Sequence, residues 1–313
     1  MADAPAVSVV IPLYNKGPYI ARALNSVLAQ TFQDFEVIVV DDGSTDDGAE
    51  IVRGFDEPRI RLIQQENQGV SAARNRGVKE SKAEFIAFLD ADDEWLSTHL
   101  EKLMILSRTY QDAGLYITSY KTCNTGNEYK FQKIKEIPRP PWAGYLTNYF
   151  VIAASCNMLI STSSVGLPKS VFFKVGMFNP AISIFEDSDL WNRIALEYNV
   201  VFSWDVGSIY HIEANNRAYN ILKGTRAHPF IQKARKAMAD GNLSDEQRNQ
   251  LAEYISHVEI LRAANNIKIG NSKLGRRILL NCKTKKNQKR KYLWLFISLI
   301  PSSLFKRLYQ AIK

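Results

Sequence analysis

Two runs dense in β-branched residues, Val7 to Leu13 (VSVVIPL) and Phe35 to Val40 (FEVIVV), constrain this chain more than any other feature. A strand with one wet face alternates apolar with polar residues. A strand apolar on both faces must be covered on both, as central strands of a parallel sheet are. Between the two runs, Ile20, Ala23, Leu24, Val27 and Leu28 recur at helical spacing. Strand, helix and strand then form a right-handed crossover. The pattern continues with a helix over Asp46 to Phe55, a strand over Ile60 to Gln64, a helix over Val70 to Ser81 and a strand over Glu84 to Leu89. Four β/α units in about 90 residues predict an α/β fold, a doubly wound and mostly parallel sheet whose ligands gather at the strands' carboxyl ends.

Three polar clusters fall at those ends: Tyr14 with Asn15, Asp41 with Asp42, and Asp90 with Asp92. The last closes the segment FIAFLDADD, an apolar strand running into three carboxylates. Crowded carboxylates repel one another unless a cation or donor groups share the site. Alternation puts Asp90 and Asp92 on one side and Asp93 on the other, so the first two could share Mg²⁺ or Mn²⁺ and a phosphorylated ligand. The competing reading is a set of solvated turn residues ahead of a helix over Ser97 to Arg108. Likewise DDGSTDD around Asp42 has the composition of an Asx-type turn.

Beyond residue 110 the pattern loosens. Leu115 to Tyr120, Met158 to Ser161 and Val200 to Trp204 read as strands completing a mixed sheet. Cys123 to Trp142, polar and proline-rich, reads as a loop over the site. Ser244 with Gln247 forms a capping box, followed by Leu251, Tyr254, Ile255, Val258 and Leu261 on one helical face.

Composition removes several classes. Three well-separated cysteines show no metal-ligand spacing, which argues against a zinc site and a disulfide framework. No basic segment followed by a long apolar one opens the chain, so a cytoplasmic location is expected. The net charge of +8 is segregated: residues 1 to 259 hold 26 basic against 32 acidic groups, a net of −6. After Glu259 there is no acidic residue, and 14 Lys and Arg follow. The two parts therefore face different partners.

The stretch VSVVIPLYNKGPYIARALNSVLAQTFQDFEVIVVDDGSTDDG, then ENQGVSAARNRG, FIAFLDADDEW and FEDSDLWNRI, resembles the inverting family 2 glycosyltransferases of the GT-A fold. Four motifs in order, over roughly residues 6 to 215, are far more specific than one. The resemblance implies a catalytic domain over 1–220, with a nucleotide-binding half at 1–110 and an acceptor half at 111–220. It implies transfer from a nucleotide-diphosphate sugar, a UDP-sugar foremost, to a saccharide or lipid-linked saccharide. By the family pattern Pro12 and Tyr14 would flank the nucleobase, with Asn15 beside them, and Asp42 would accept from base or ribose. Asn67 and Gly69 would bring backbone close to the donor, and Arg74 would reach the diphosphate or lock the motif's carboxylates. Asp90 would hold ribose or sugar, Asp92 would ligate Mn²⁺ or Mg²⁺, and His211 could complete the coordination or remain an ordinary hydrogen-bonded histidine. Asp187 would be the general base, while Asp189 suits capping of a helix over Leu190 to Tyr198. A sugar-phosphate nucleotidyltransferase is the nearest alternative, but it needs a glycine-rich phosphate loop and PLYNKGPY is not one. A non-catalytic nucleotide-sugar-binding protein is the other.

The remainder, 221–313, reads as a helical and basic region. Lys283 to Lys291 (KTKKNQKRK) carries six cations, and YLWLFISLI follows. Nine residues cannot cross about 30 Å of hydrocarbon, which needs about 20 in a helix. Ser303 to Lys313 extends the pattern with Leu304, Phe305, Leu308 and Ile312 on one face. The expectation is a peripheral anchor on the anionic cytoplasmic leaflet through 283–313. Packing on the chain's own catalytic domain or on a second subunit competes with it. Nucleic acid is disfavoured, since no binding module accompanies the charge.

Overall fold

The computed structural model describes residues 4–124, 126, 128–155, 158–213 and 225–300. The chain divides into two compact units, 1–149 with 158–215, and 150–157 with 216–313. In chain order the first part runs β1 (Val7–Leu13), α1 (Gly17–Leu28), β2 (Phe35–Asp41), α2 (Gly48–Arg53), β3 (Ile60–Gln64), α3 (Val70–Glu80), β4 (Phe85–Phe88), β5 (Glu94–Trp95) and α4 (His99–Thr109). There follow β6 (Ala113–Cys123), β7 (Tyr129–Phe131), β8 (Ala143–Tyr145), α5 (Tyr149–Ser155), β9 (Val165–Pro168), α6 (Lys169–Lys174), α7 (Glu186–Glu197) and β10 (Asn199–His211). The helices α8 (Phe230–Ala239), α9 (Asp245–Lys268), α10 (Ser272–Asn281) and α11 (Gln288–Ile297) complete the described chain.

Among the described residues ten strands form one sheet, ordered β3-β2-β1-β4-β9-β6-β10-β5, with β7 on β6 and β8 on β10. The β3-β2-β1-β4 half and the β6–β10 pair are parallel, and β9 joins the halves antiparallel to β4 and β6. This is the expected doubly wound mixed sheet. Every residue of β1 and β2 is buried, and alternation divides them between two cores. Val9, Ile11, Val37 and Val39 pack with Ile20, Leu24 and Val27 of α1, while Ile38 and Val40 pack with Ala73 of α3. Helix α3 comes close to β1 because Gly77 has no Cβ; one would lie 2.4 Å from Val10 Cγ1.

Two of the expected assignments in the acceptor half, a strand and a loop, differ from the structure. Met158 to Ser161 is not a strand; a short 3₁₀ turn over Thr162–Ser164 precedes β9. The segment lies where backbone bonds go to side chains, Met158 O accepting from Tyr120 Oη and Leu159 O from Gln132 Nε2, instead of to a ladder. Cys123 to Trp142 is only partly a loop, because β7 pairs antiparallel with β6.

In the second unit the capping box of Ser244 and Gln247 is formed at the start of α9. The face expected there drifts: Leu251, Tyr254 and Ile255 are buried, then Ile260, Ala263 and Ile267 take over from Val258 and Leu261. The cause is α10, which crosses α9 at Gly275, where a Cβ would lie 2.8 Å from Ala263 O. Half of the apolar tail is used internally. Trp294, Leu295 and Ile297 pack on Ile260, Ala263, Ile267 and Leu279. Tyr292, Leu293, Phe296 and Leu299 are each more than half exposed. The stretch Ser303 to Lys313 lies outside the described residues. Among the described residues no helix is long and apolar enough to cross a membrane.

Candidate active site

Arg74 organises the site. It projects from α3, is 4% exposed, and forks between two distant motifs: Nη2 donates to Asp90 Oδ1 at 2.7 Å and Nη1 to Glu186 Oε1 at 3.3 Å. Its guanidinium also lies over the Phe178 ring, 5.2 Å from the centroid. Burial alone would lower its pKa; the Asp90 and Glu186 charges outweigh that and raise it. Its Nε is buried with no hydrogen-bond partner among the described residues, so the fork retains donor capacity.

Asp187 belongs to this cluster. Burial and the adjacent Glu186 charge raise its carboxyl from the usual aspartate range to about 7, against the opposing pull of Arg74 and a bond from Ser188 N. The residue sits in the first turn of α7, whose positive end faces it. Phe185, immediately before, has φ 71, a left-handed backbone costly for an aromatic residue. Trp191 of the same helix belongs to an aromatic cluster, with Phe88 5.4 Å from Phe178 and Phe178 5.8 Å from Trp191. Asp189 does not cap the helix as expected. It pairs with Arg193 at 2.8 Å, and Arg193 also donates to Val175 O and Met177 O, tying α7 to the preceding loop.

The three carboxylates after β4 go separate ways. Asp90 is held by Arg74 and by its own N–H to Ser163 Oγ; Asp92 is 2.9 Å from Lys16 Nζ. Asp93 is fully buried, accepting from Ser163 Oγ at 2.7 Å and from His211 N at 3.2 Å. That explains its opposite facing: it fastens the end of β4 to β10. His211 places Nδ1 3.0 Å from Glu213 and Nε2 3.2 Å from Glu94. Among the described residues no three His, Cys, Asp or Glu are grouped so as to hold a metal ion. A Mg²⁺ or Mn²⁺ here would take most ligands from phosphate and water, the usual habit of Mg²⁺. Asp92, already seated on a cation, fits such a partial role; His211 would first have to release Glu94.

At the other strand ends, Tyr14 presents an exposed ring whereas Pro12 is buried inside β1 opposite Val40. Asn15, at φ 51, accepts from Thr45 N at its side-chain oxygen and donates its own N–H to Ser44 Oγ, joining the loops after β1 and β2. Asp42 accepts from Gln65 Nε2, Gln68 N and Gly69 N at 2.7 to 2.9 Å. It thereby fixes the loop carrying Asn67 and Gly69, where Gly69 has φ 87 and a Cβ would meet nothing within 4 Å. Lys16, Arg22, Glu94 and Glu186 lie around these groups without having been marked in the sequence as site residues. Arg22 Nη2 donates to Asp92 O at 2.6 Å, a contact that no local spacing reveals.

The chain resembles known proteins in sequence and in fold. It is 43% identical over 109 residues to the uncharacterized glycosyltransferase YibD of Escherichia coli, covering 34% of this chain and 32% of that one. It is 28% identical over 239 residues to the uncharacterized glycosyltransferase RT0329 of Rickettsia typhi, 74% of each. The matched stretch thus spans about a third of YibD. The fold matches S. aureus TarS 1–349 in complex with UDP-GlcNAc at a TM-score of 0.70 and 16% identity, over 98% of this chain and 92% of that one. The model of glycosyl transferase family 2 matches residues 8–166, the stretch that contains β1, Asp42, Arg74 and the Asp90–Asp92 turn. With half of its length under that match and the corresponding fold around it, the chain belongs to glycosyl transferase family 2.

Proposed function

We propose that the protein transfers a sugar, with inversion, from a nucleotide-diphosphate sugar to a hydroxyl of a saccharide or lipid-linked saccharide. The observation that carries this reading is the Arg74 fork, which gathers Asp90, Glu186 and Asp187 from two remote motifs into one cluster at the strand ends. Asp187, its pKa lifted toward neutrality, takes the proton of the acceptor hydroxyl as that oxygen attacks the anomeric carbon. The bond to the diphosphate breaks on the opposite face, and the nucleoside diphosphate leaves with the electron pair. Tyr14 stacks on the base; Asp42 holds the 65–69 loop against the donor. Arg74 and Asp90 orient the sugar and its phosphates. Asp92 would hold Mg²⁺ or Mn²⁺, which when bound supplies Lewis-acid neutralisation of the leaving group. The UDP-GlcNAc bound by TarS makes UDP-sugars the first donors to try.

Peripheral attachment to an anionic membrane is part of the same reading. Tyr292, Leu293, Phe296 and Leu299 form an outward stripe beside Lys285, Lys286, Lys289 and Arg290, the composition of an interfacial helix.

The test is nucleotide release from a panel of nucleotide-diphosphate sugars, with Mn²⁺ or with chelator, for the native chain, Asp92→Ala and Asp187→Asn. Metal-dependent release from one donor, lost in Asp92→Ala, supports the reading. Nucleotide binding without turnover, indifferent to both substitutions, overturns it in favour of a binding protein.

A further inference from the structure

In the second unit, α8, α9 and α10 flank an open pocket of about 510 Å³. Its lining is unusual in charge. Arg235, Arg262, Arg277 and Lys283 line it, from three helices and the segment after the last, and all but Arg262 are exposed to solvent. Glu259 is the one acid on the lining, and Arg262 already engages it at 3.3 Å. Arg235, Arg277 and the Lys283 ammonium have no acidic partner among the described residues. The remaining stretches of this unit, 216–224 and 301–313, contain no Asp or Glu. Like charges converging on a concavity repel, which leaves a site that an anion would stabilise. Arginines add a planar fork matched to phosphate oxygens.

Beside the polar Ser256 and Asn281, the rest of the lining is Met238, Ile255 and Ile278, with Ala252 and Cys282. Inorganic phosphate has nothing to place there. A phosphate ester attached to a hydrocarbon chain satisfies both halves, and the volume lies within the range of small-ligand sites. The surroundings agree. Lys283 opens the basic run KTKKNQKRK, whose backbone at Lys285 and Lys286 is pinned to α9 by Glu253, and Leu280 stands 65% exposed nearby in sequence. We infer that this cavity binds the phosphate-bearing headgroup of an anionic lipid, with the start of its hydrocarbon chain against Met238, Ile255 and Ile278.

The test is calorimetric titration of the full chain, without donor sugar, by soluble dihexanoyl phosphatidic acid, dihexanoyl phosphatidylcholine and inorganic phosphate. The expected result is one site for the phosphatidic acid, tighter than either comparison by about tenfold or more. The pair Arg235→Gln and Arg277→Gln should weaken it by at least about tenfold. Met238→Trp, which fills the cavity and keeps every cation, should abolish it. Leu293→Ser with Phe296→Ser, which removes the exposed stripe on α11 and spares the cavity, should leave it unchanged. Equal binding of inorganic phosphate would reduce the site to a free-anion site and overturn the lipid assignment. Loss in the Leu293 and Phe296 variant, or none in the arginine variant, would put the site elsewhere. No arm uses the sugar-transfer reaction, so failure here is distinguishable from failure of the transferase reading.

Discussion

At the scale of single residues, two substitutions separate chemistry from architecture. Asp187→Asn keeps the volume and removes the carboxylate proposed as the base. Turnover is expected to fall about 10²- to 10⁴-fold with nucleotide-sugar binding retained, measured by steady-state rates beside calorimetry. Arg74→Ala strips a buried cation from two carboxylates, and thermal or denaturant unfolding should register a loss of about 3 kcal/mol. It also has a pH signature. Arg74 pulls the Asp187 pKa down, so its removal raises that pKa further, and the acid limb of kcat/KM should move to higher pH. An unmoved limb would show that Asp187 does not govern the profile. Tyr14, Asp42, Asp90 and Asp92 were legible because strand periodicity places them at strand ends, whereas Arg74 and Asp187, on α3 and α7, were legible only through motif order. Their partners were not. Lys16 meets Asp92 and Glu186 meets Arg74 only because separate β/α units converge, a non-local event with no periodicity of its own.

Elements are held together by a few close approaches that can be challenged singly. Gly77→Ala places a methyl into Val10 where α3 crosses β1, and overpacking of about 1–3 kcal/mol should lower the melting temperature. In the second unit, Glu253 of α9 accepts from Thr284, Lys285 N, Lys286 N and Asn287 and so holds the start of α11. Burial pushes its carboxyl up, and these bonds outweigh that, holding its pKa below the usual glutamate range. A depressed folded pKa means that the anchor is complete above the ordinary glutamate range and is lost as pH falls through the lowered value. Glu253→Ala should therefore speed amide hydrogen exchange in α11 at neutral pH and remove its acid dependence, at a cost of about 1 kcal/mol given partial exposure. Helix α7 shows why element boundaries escaped the sequence. Its first turn includes Glu186 and Asp187 and follows a left-handed Phe185, a conformation that local propensity disfavours for an aromatic residue.

For the molecule as a whole, an acidic first part and a tail without carboxylates match the proposed division between sugar transfer and membrane attachment. Sedimentation with anionic vesicles should fall about tenfold or more for Leu293→Ser with Phe296→Ser, and native binding should weaken as salt rises. Point substitutions are preferable to truncation, because Trp294, Leu295 and Ile297 belong to the core of the second unit. Sequence by itself determined the family, the doubly wound sheet and the order of strand-end motifs, since each rests on local periodicity or contiguous residues that a linear reading can see. It also located the basic, short apolar tail. Only the tertiary structure decided which cation each carboxylate meets, that Asp93 is a fastening between strands, that half of the tail's apolar face is spent on its own core, and that four cations ring one cavity. Those outcomes depend on which distant surfaces come within hydrogen-bonding and van der Waals reach, and that selection is made by packing of the whole chain.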